Sequence, residues 1–338
     1  MIAIRVDSND IIATGHLMRC LSIADQMENK PLFISSEESS RQFIMERGYE
    51  CICLQNKYDE KELELQELLK IIRIKGIHTL LIDSYEVTEH YLHVLHGEVQ
   101  LAYIDDLIQF YYDVDMIINY TYKTEIVSYE KWNYSNVEFL LGSKFVPLRR
   151  QFLQKPIKID TVEQLLLTTG GTDKYHVILE LIEALSNKNY ILHIVLGKFY
   201  GDYDDLNQYT KKNSNIIVYR DVKEIANIMK KCDMAISAGG TTLAELATLG
   251  IPTICFAIAD NQLVGTKMYA NDGLMMYTGD IRTEKAKVKE NIIRNIEYLA
   301  ENKNVRKDMS NRMVEMFDGR GARRIAERLE ALDNRKEG

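Results

Sequence analysis

The strongest constraint on the fold is an alternation of short apolar runs with amphipathic segments along almost the whole chain. In the first half the apolar runs stand at 2–6, 31–35, 51–54, 78–83, 99–106 and 115–120. The segments between them carry apolar residues at helical spacing, as Leu17, Leu21 and Ala24 do. Strands that are apolar throughout must be covered on both faces. The alternation therefore predicts an α/β protein in which parallel sheets lie between layers of helices.

The second half repeats this pattern after an interruption. Its apolar runs stand at 162–169, 191–197, 215–220, 234–238 and 252–258, and the chain is expected to end in three or four helices. Residues 142–160 break the pattern and contain two of the four prolines. Because 338 residues exceed what one hydrophobic core usually serves, we predict two Rossmann-like domains, at 1–150 and 151–338. The last helix is a candidate to pack back on the first domain.

The charge balance excludes one large class of functions. The chain has 50 acidic and 42 basic residues, a formal net charge of −8, and no dense basic stripe. Proteins that bind nucleic acids normally carry a basic excess. We therefore expect no nucleic-acid partner, and an anionic ligand would have to be held by local amides and a few side chains.

Cysteine usage and the distribution of apolar residues are typical of a cytoplasmic protein. The five cysteines are scattered and form no CxxC pair, which favours a reduced protein. The chain opens as a strand rather than with a signal-peptide pattern. No apolar run approaches the roughly 20 residues that span a bilayer. We expect a cytoplasmic protein without membrane insertion that acts as a monomer.

The segment DSNDIIATGHLMRC (7–20) places Gly15 and His16 at the start of a predicted helix that follows a strand. The partial positive charge of a helix N-terminus favours a neutral imidazole, which can accept a proton from water. A helix-capping or buried histidine explains the same position equally well. Arg19, one turn later, could hold a phosphate or carboxylate, or pair with Asp7 or another acid at a strand end.

Four carboxylates are predicted to lie along one rim of the first sheet. Asp7, Asp83, Asp105 and Asp106 each follow or end an apolar strand, and ligands of parallel sheets bind at these carboxyl ends. Adjacent strand residues point to opposite faces, so one acid of the Asp105–Asp106 pair should be structural. We take Asp105 as the acid of the catalytic site, together with Asp7 and Asp83.

Two diglycine loops in the second half are candidates for holding a diphosphate. GGTD (170–173) and SAGGTTLAEL (237–246) each follow a predicted strand and open a helix. Such a turn presents amides and hydroxyls to an anion. The residues expected to contact it are Gly170, Gly171, Gly239, Gly240, Thr241 and Thr242. Two tight turns without a ligand remain the alternative, and Thr242 with Glu245 also matches a capping box.

Two further patterns are weaker. Asn261 and Gln262 follow a strand and could bind sugar hydroxyls, although N-capping by Asp260 or Asn261 accounts for them as well. Histidines at 90, 93 and 96 suggest a metal at first sight. Positions six residues apart diverge around a helix, however, so we interpret them as a solvated helix face and predict no metal site.

Taken together, these motifs resemble the nucleotide-sugar hydrolases of pseudaminic acid biosynthesis, which act on UDP-2,4-diacetamido-2,4,6-trideoxy-β-L-altropyranose. The strings that carry the resemblance are Arg5-x-Asp7, Gly15-His16-x-Met18-Arg19-Cys20, Asp83-x-Tyr85, Ile104-Asp105-Asp106, Gly170-Gly171-x-Asp173, Ser237-Ala238-Gly239-Gly240-x-Thr242-x-x-Glu245, Leu249-Gly250-x-Pro252, Asn261-Gln262 and Gly319-x-Gly321-Ala322-x-Arg324. Ser8, Asn9, Ala13 and Ala244 depart from the family pattern.

The resemblance implies a fold of the glycosyltransferase-B type, in which two Rossmann-like domains face a cleft. It implies His16 as the catalytic residue, UDP bound mainly to the second domain, and no cofactor or metal. Glu245 would contact the ribose, and Gly15, Arg19 and Tyr85 would belong to the substrate site. The implied reaction is hydrolysis at the anomeric carbon with inversion, releasing UDP and the free sugar.

Two other functions fit the same residues. A glycosyltransferase of this architecture would use an acceptor hydroxyl in place of water. A non-catalytic protein that binds nucleotide sugars would keep the glycine loops but would not need His16.

Overall fold

The computed structural model describes residues 1–8, 15–153, 160–171, 173–197, 200–201, 203–220 and 222–334. Asn9, Ala13 and the threonine of the first diglycine loop, Thr172, lie outside these residues. The chain divides into two compact units. The first comprises Met1–Arg150 with Gly319–Gly338, and the second comprises Gln151–Asp318.

The first unit is built on a sheet of seven parallel strands. The strands are β1 Ile2–Val6, β2 Leu32–Ser35, β3 Cys51–Cys53, β4 Thr79–Asp83, β5 Gln100–Ile104, β6 Met116–Asn119 and β7 Glu138–Leu141, in the spatial order β3-β2-β1-β4-β5-β6-β7. Four helices connect them: α1 Gly15–Ala24, α2 Glu38–Glu46, α3 Lys61–Lys75 and α4 Glu89–His96. Strand β7 was not predicted, because it is a four-residue edge strand with mostly half-buried side chains.

The second unit contains a six-stranded parallel sheet. Its strands are β8 Gln164–Thr168, β9 Ile191–Leu196, β10 Ile216–Arg220, β11 Met234–Ala238, β12 Thr253–Ala257 and β13 Met276–Asp280, in the order β10-β9-β8-β11-β12-β13. Its helices are α5 Val177–Leu185, α6 Tyr203–Lys212, α7 Ile225–Met229, α8 Thr241–Leu249, α9 Asp260–Asn271, α10 Ile281–Glu301 and α11 Lys303–Met316. Four helices follow residue 258 in the part of the chain that the structure describes, in agreement with the expected three or four. The strand between the first two of them, β13 (MYTGD), was not predicted, because it is a half-buried edge strand that no alternation marks.

The final helix, α12 at Gly321–Asp333, belongs to the first unit. Ile325, Leu329 and Leu332 are fully buried in the cluster that also contains Leu17 of α1. Burial of each such side chain contributes about 1.5–3 kcal/mol. Close approach at the start of the helix requires glycine, since a Cβ on Gly321 would lie 2.2 Å from the carbonyl oxygen of Val146.

Both sheets share the feature that positions a site. In the first sheet the chain builds outward from β1 to β3 and then returns to place β4 beside β1. In the second sheet β8 and β11 are neighbours for the same reason. Ligands of open parallel sheets bind at such a switch point, outside the carboxyl ends of the two strands. The predicted class, two parallel-sheet α/β domains, is confirmed.

Candidate active site

His16 and Asp83 form a pair at the switch point of the first sheet. His16 is the second residue of α1, which follows β1, and Asp83 is the last residue of the neighbouring β4. The imidazole Nδ1 lies 2.6 Å from Asp83 Oδ1. A carboxylate only accepts, so this contact requires the proton on Nδ1 and leaves Nε2 as an acceptor. Arg19 Nη2 also lies 3.0 Å from Nδ1, but its shorter contact, at 2.5 Å, is with Asp83 Oδ1.

Arg19 holds the same carboxylate from the other side. Its Nε and Nη2 donate to Asp83 Oδ2 and Oδ1, each at 2.5 Å. Its Nη1 donates to Asp106 Oδ2 at 2.8 Å and also contacts the Tyr120 hydroxyl. The sequence allowed Arg19 either to hold a ligand or to pair with an acid at a strand end. In the structure Arg19 pairs with two such acids, Asp83 and Asp106, and not with Asp7.

Asp83 is held as a charged group despite its position. It is 1% exposed, and burial opposes its ionisation. The charge of Arg19 and the hydrogen bonds from Arg19 and His16 outweigh that effect and hold the pKa of Asp83 well below its ordinary range. His16 therefore faces an ionised, fixed carboxylate, which stabilises one tautomer and one ring orientation.

Tyr85 covers His16. Its ring meets the imidazole edge-on with centroids 4.5 Å apart, and its hydroxyl donates to Asp106 Oδ2 at 2.7 Å. Burial, followed by the charge of Asp106, raises the pKa of Tyr85 well above its ordinary value. Beside this pair lies a cavity of about 30 Å³, which is enough for one water molecule. The residues that line it are Asp7, His16, Asp83, Ser84, Tyr85 and Glu86.

Asp7 lines that cavity, but its carboxylate is committed elsewhere. Oδ1 lies 2.7 Å from Arg5 Nη1 and accepts from the amide of Ser36, and Oδ2 accepts from Lys61 Nζ at 2.8 Å. Burial opposes the charge of Asp7, yet Arg5 and Lys61 hold its pKa well below the ordinary range. Asp7 therefore joins β1 to β2 and α3, and the orientation of His16 falls to Asp83.

Asp105, predicted as an acid of the catalytic site, bonds to groups other than His16. It is fully buried, and its Oδ1 accepts from the amides of Leu107 and Ile108 and from the Tyr112 hydroxyl. Its Oδ2 accepts from the Tyr129 hydroxyl at 2.7 Å. These bonds fix a turn in which Ile108 takes a positive φ of 53°. The acid that reaches the His16 cluster is the next residue, Asp106.

Ser40 is a positioning residue that the sequence did not reveal. Its buried hydroxyl accepts from the amide of Ser8 at 2.8 Å and donates to the carbonyl of Ser8 at 2.6 Å. The pair fixes the point at which the chain leaves β1 toward His16. No local motif marks it, because the two serines are 32 residues apart.

The diglycine loops of the second unit lie at its switch point, after the neighbouring strands β8 and β11. Helix α8 begins at Thr241, and its N-cap is Gly240, at φ 133° and without a capping side chain among the described residues. The capping box is therefore wrong: the helix starts before Thr242, and Glu245 is buried within it. The N-cap residue thus provides no side chain to the first amides of α8, an arrangement that suits an anion site.

Two contacts support these loops from below. A Cβ on Gly197, directly after β9, would lie 2.2 Å from the carbonyl oxygen of Gly170. The first diglycine loop therefore packs directly against the backbone of Gly197. A Cβ on Gly239 would lie 2.8 Å from Cβ of Gln262. Gln262 Oε1 also accepts from the amide of Ile258 at 2.9 Å. Gln262 therefore holds its own loop in place, and the sequence had shown no role for Gly197.

Asn261 and the three spaced histidines have different outcomes. Asn261 is exposed in the first turn of α9, whose N-cap is Ala259, so neither Asp260 nor Asn261 caps this helix. His90 pairs with Glu62, whereas His93 and His96 share Asp113. Within the described ranges, no group of three or more His, Cys, Asp or Glu side chains is arranged to hold a metal ion. None of the described helices is both long and apolar enough to cross a bilayer.

The two units define a glycosyltransferase-B fold. MurG of Acinetobacter baumannii superposes with a TM-score of 0.71 over 98% of this chain and 99% of that chain, at 11% sequence identity. HepE of Anabaena, solved in complex with UDP and glucose, superposes with a TM-score of 0.61 over 98% of this chain and 99% of its own, also at 11% identity. At these identities the likeness shows the fold alone.

Sequence comparison adds relatives whose names refer to sugar biosynthesis. A family described as a protein of unknown function (DUF354) matches residues 168–319. The pseudaminic acid cytidylyltransferase and UDP-2,4-diacetamido-2,4,6-trideoxy-β-L-altropyranose hydrolase of Helicobacter pylori is 29% identical over 61% of this chain, a match that spans 38% of that protein. The spore coat polysaccharide biosynthesis protein SpsG of Bacillus subtilis is 22% identical over 78% of this chain and 79% of its own length.

Proposed function

We propose that this protein is a nucleotide-sugar hydrolase that cleaves a UDP-linked 2,4-diacetamido-2,4,6-trideoxy hexose at the anomeric carbon with inversion. The observation that carries the proposal is the 2.6 Å contact between His16 Nδ1 and Asp83 Oδ1 beside a cavity of about 30 Å³. It provides a general base with its free nitrogen available and space for the water that the base would activate.

In the proposed step His16 Nε2 accepts a proton from this water as its oxygen attacks C1 of the sugar. The new C1–O bond forms on the face opposite the leaving group, and the bond between C1 and the UDP oxygen breaks. UDP carries away the electron pair of that bond. Asp83 stabilises the imidazolium that forms, and Arg19 keeps Asp83 in place throughout.

The leaving diphosphate is assigned to the second unit. The amides at the start of α8 and the hydroxyls of Thr241 and Thr242 would hold its developing charge. The loop at Gly170–Gly171 lies at the same edge of the sheet, because β8 and β11 are parallel neighbours. Glu245 is proposed to contact the ribose and the exposed Asn261 to contact the sugar.

The name of the Helicobacter relative supports a hydrolase of this sugar. A glycosyltransferase is the second candidate. MurG and the calicheamicin glycosyltransferase CalG4, with a TM-score of 0.65, share the fold, which suits either activity. Either enzyme needs a base where His16 lies. The two candidates differ in the nucleophile, water or an acceptor hydroxyl.

Incubation with the UDP-sugar in ¹⁸O-labelled water, without any acceptor, separates the candidates. A hydrolase of this mechanism releases UDP and sugar in equal amounts, with the label in the sugar, and NMR detects the inverted anomer first. Label in UDP contradicts attack at C1. A transferase releases UDP only when an acceptor is added, and a binding protein retains the nucleotide sugar intact.

A further inference from the structure

The four acids at the strand ends of the first unit differ in how far their oxygens are occupied. Both carboxylate oxygens of Asp7, Asp83 and Asp105 already have buried partners within the protein. Asp106 instead accepts only through Oδ2, from Arg19 at 2.8 Å and Tyr85 at 2.7 Å. Among the residues that the structure describes, none donates to its Oδ1.

The two bonds on Oδ2 determine where the other oxygen is. Arg19 is itself fixed by Asp83, and the Tyr85 ring lies edge-on against His16 at 4.5 Å. The carboxylate of Asp106 is therefore part of the His16 cluster, and its side chain keeps 18% of its surface exposed. An ionised oxygen that is held in place and reachable is a ready acceptor for a ligand donor.

The charges around this oxygen do not balance. Arg5 and Lys61 are offset by Asp7 and Glu64 in one buried network. Arg19 faces both Asp83 and Asp106, which leaves one negative charge in excess. A second anion beside Asp106 would be repelled, whereas a neutral donor would be attracted.

We infer that Asp106 is a specificity-determining residue, whose Oδ1 accepts a hydrogen bond from a hydroxyl or amide N–H of the reacting sugar and excludes sugars that carry a carboxylate. This inference rests on the proposed function, whose sugar is uncharged and carries such donors, and it adds the residue that selects sugars of this kind. The remaining strand-end acids, Asp7, Asp83 and Asp105, bond to other side chains of the protein.

The test compares the equilibrium affinities of UDP, UDP-glucose and UDP-glucuronate. The two sugars differ only at C6, in a hydroxymethyl and a carboxylate group, so the comparison measures the exclusion of a carboxylate. Calorimetry is carried out on the wild type, on Asp106→Asn and on Asp106→Glu, which keeps the charge. Asp113→Asn is the matched control, because Asp113 is also a partly exposed acid with two partners in the first unit, His93 and His96. Affinity for UDP shows that the second unit is intact, and thermal unfolding with circular dichroism shows that the first unit of each variant, which contains Asp106 and Asp113, is folded.

We expect the wild type to bind UDP-glucose more tightly than UDP-glucuronate. Asp106→Asn should reduce this ratio of affinities by about ten- to a hundredfold, because it removes the repulsion between two carboxylates. Asp106→Glu and Asp113→Asn should keep the preference. An unchanged preference in Asp106→Asn, with UDP still bound, overturns the inference and leaves the proposed function standing. A wild type that binds none of the three ligands overturns the proposed function as well.

Discussion

His16 Nδ1 lies 2.6 Å from Asp83 Oδ1, although the two residues are 67 positions apart in the chain. The contact joins the helix that follows β1 to the end of β4, across the switch point of the first sheet. Since Arg19 grips the same carboxylate through two bonds of 2.5 Å, the imidazole has a fixed, charged partner.

Replacing Asp83 by Asn should lower kcat by about a thousand- to ten-thousandfold, as loss of the orienting carboxylate does in other histidine-dependent enzymes. An amide can donate to Nδ1, which favours the wrong tautomer of His16. Affinity for UDP should stay within about threefold, because UDP is assigned to the second unit. Steady-state kinetics and UDP binding measure both. A kcat within tenfold of the wild type contradicts the role of Asp83.

Acid should destabilise the first unit through Asp7 and Asp83, whose pKa values lie below those of the unfolded chain. A depressed pKa contributes stability that is present above the unfolded value of about 3.9 and is lost as pH falls through the folded value. Urea unfolding between pH 6 and pH 2 should therefore show a steep decline below about pH 4. Asp7→Asn should make the decline of the unfolding free energy below pH 4 shallower, whereas Asp59→Asn, at an exposed position, should leave it unchanged.

Replacing Gly197 by Ala should displace the first diglycine loop, because its Cβ would lie 2.2 Å from the carbonyl oxygen of Gly170. Overpacking of this kind costs about 1–3 kcal/mol. Because the displaced loop is proposed to hold the diphosphate, we expect UDP to bind more weakly to this variant than to the wild type, as measured by calorimetry. Gly201→Ala is the control, since a Cβ there meets nothing within 4 Å. Equal affinities in the two variants would show that the loop does not contact the nucleotide.

Replacing Ser40 by Ala should leave the amide and carbonyl of Ser8 without their shared partner. Loss of a buried partner costs about 1–3 kcal/mol of unfolding free energy. Because Ser8 precedes the segment that leads to His16, kcat should fall more than KM changes. Ser39→Ala removes only a 3.5 Å contact to the same carbonyl. Equal losses of unfolding free energy and of kcat in Ser40→Ala and Ser39→Ala would contradict the positioning role of Ser40.

Local pattern was sufficient to predict the fold class and most elements. The run at 234–238 matches β11 residue for residue, and Gly15–His16 does open a helix. Strand-end acids and glycine loops follow from the same alternation, because parallel strands place their carboxyl ends on one edge. The edge strands β7 and β13 were missed, since half-buried edges carry little apolar signal.

The partners of individual polar groups could not be derived in this way. Asp105 and Asp106 are adjacent and chemically identical. Asp105 is the structural one because Tyr112, Tyr129 and two amides of the following turn all donate to it. Contacts such as Ser40 with Ser8 depend on the packing of distant segments. The sequence therefore predicts which residues reach the rim, whereas their hydrogen-bond partners require the three-dimensional structure.

The most direct test of the account is turnover of the UDP-sugar by a His16→Asn variant, with UDP affinity measured on the same sample. His90→Asn is the matched control, because His90 is an exposed histidine paired with Glu62. We expect His16→Asn to lose at least about a hundredfold in the rate of UDP release, the usual contribution of a general base, and to bind UDP as the wild type does. Release of UDP at the wild-type rate by His16→Asn would contradict it.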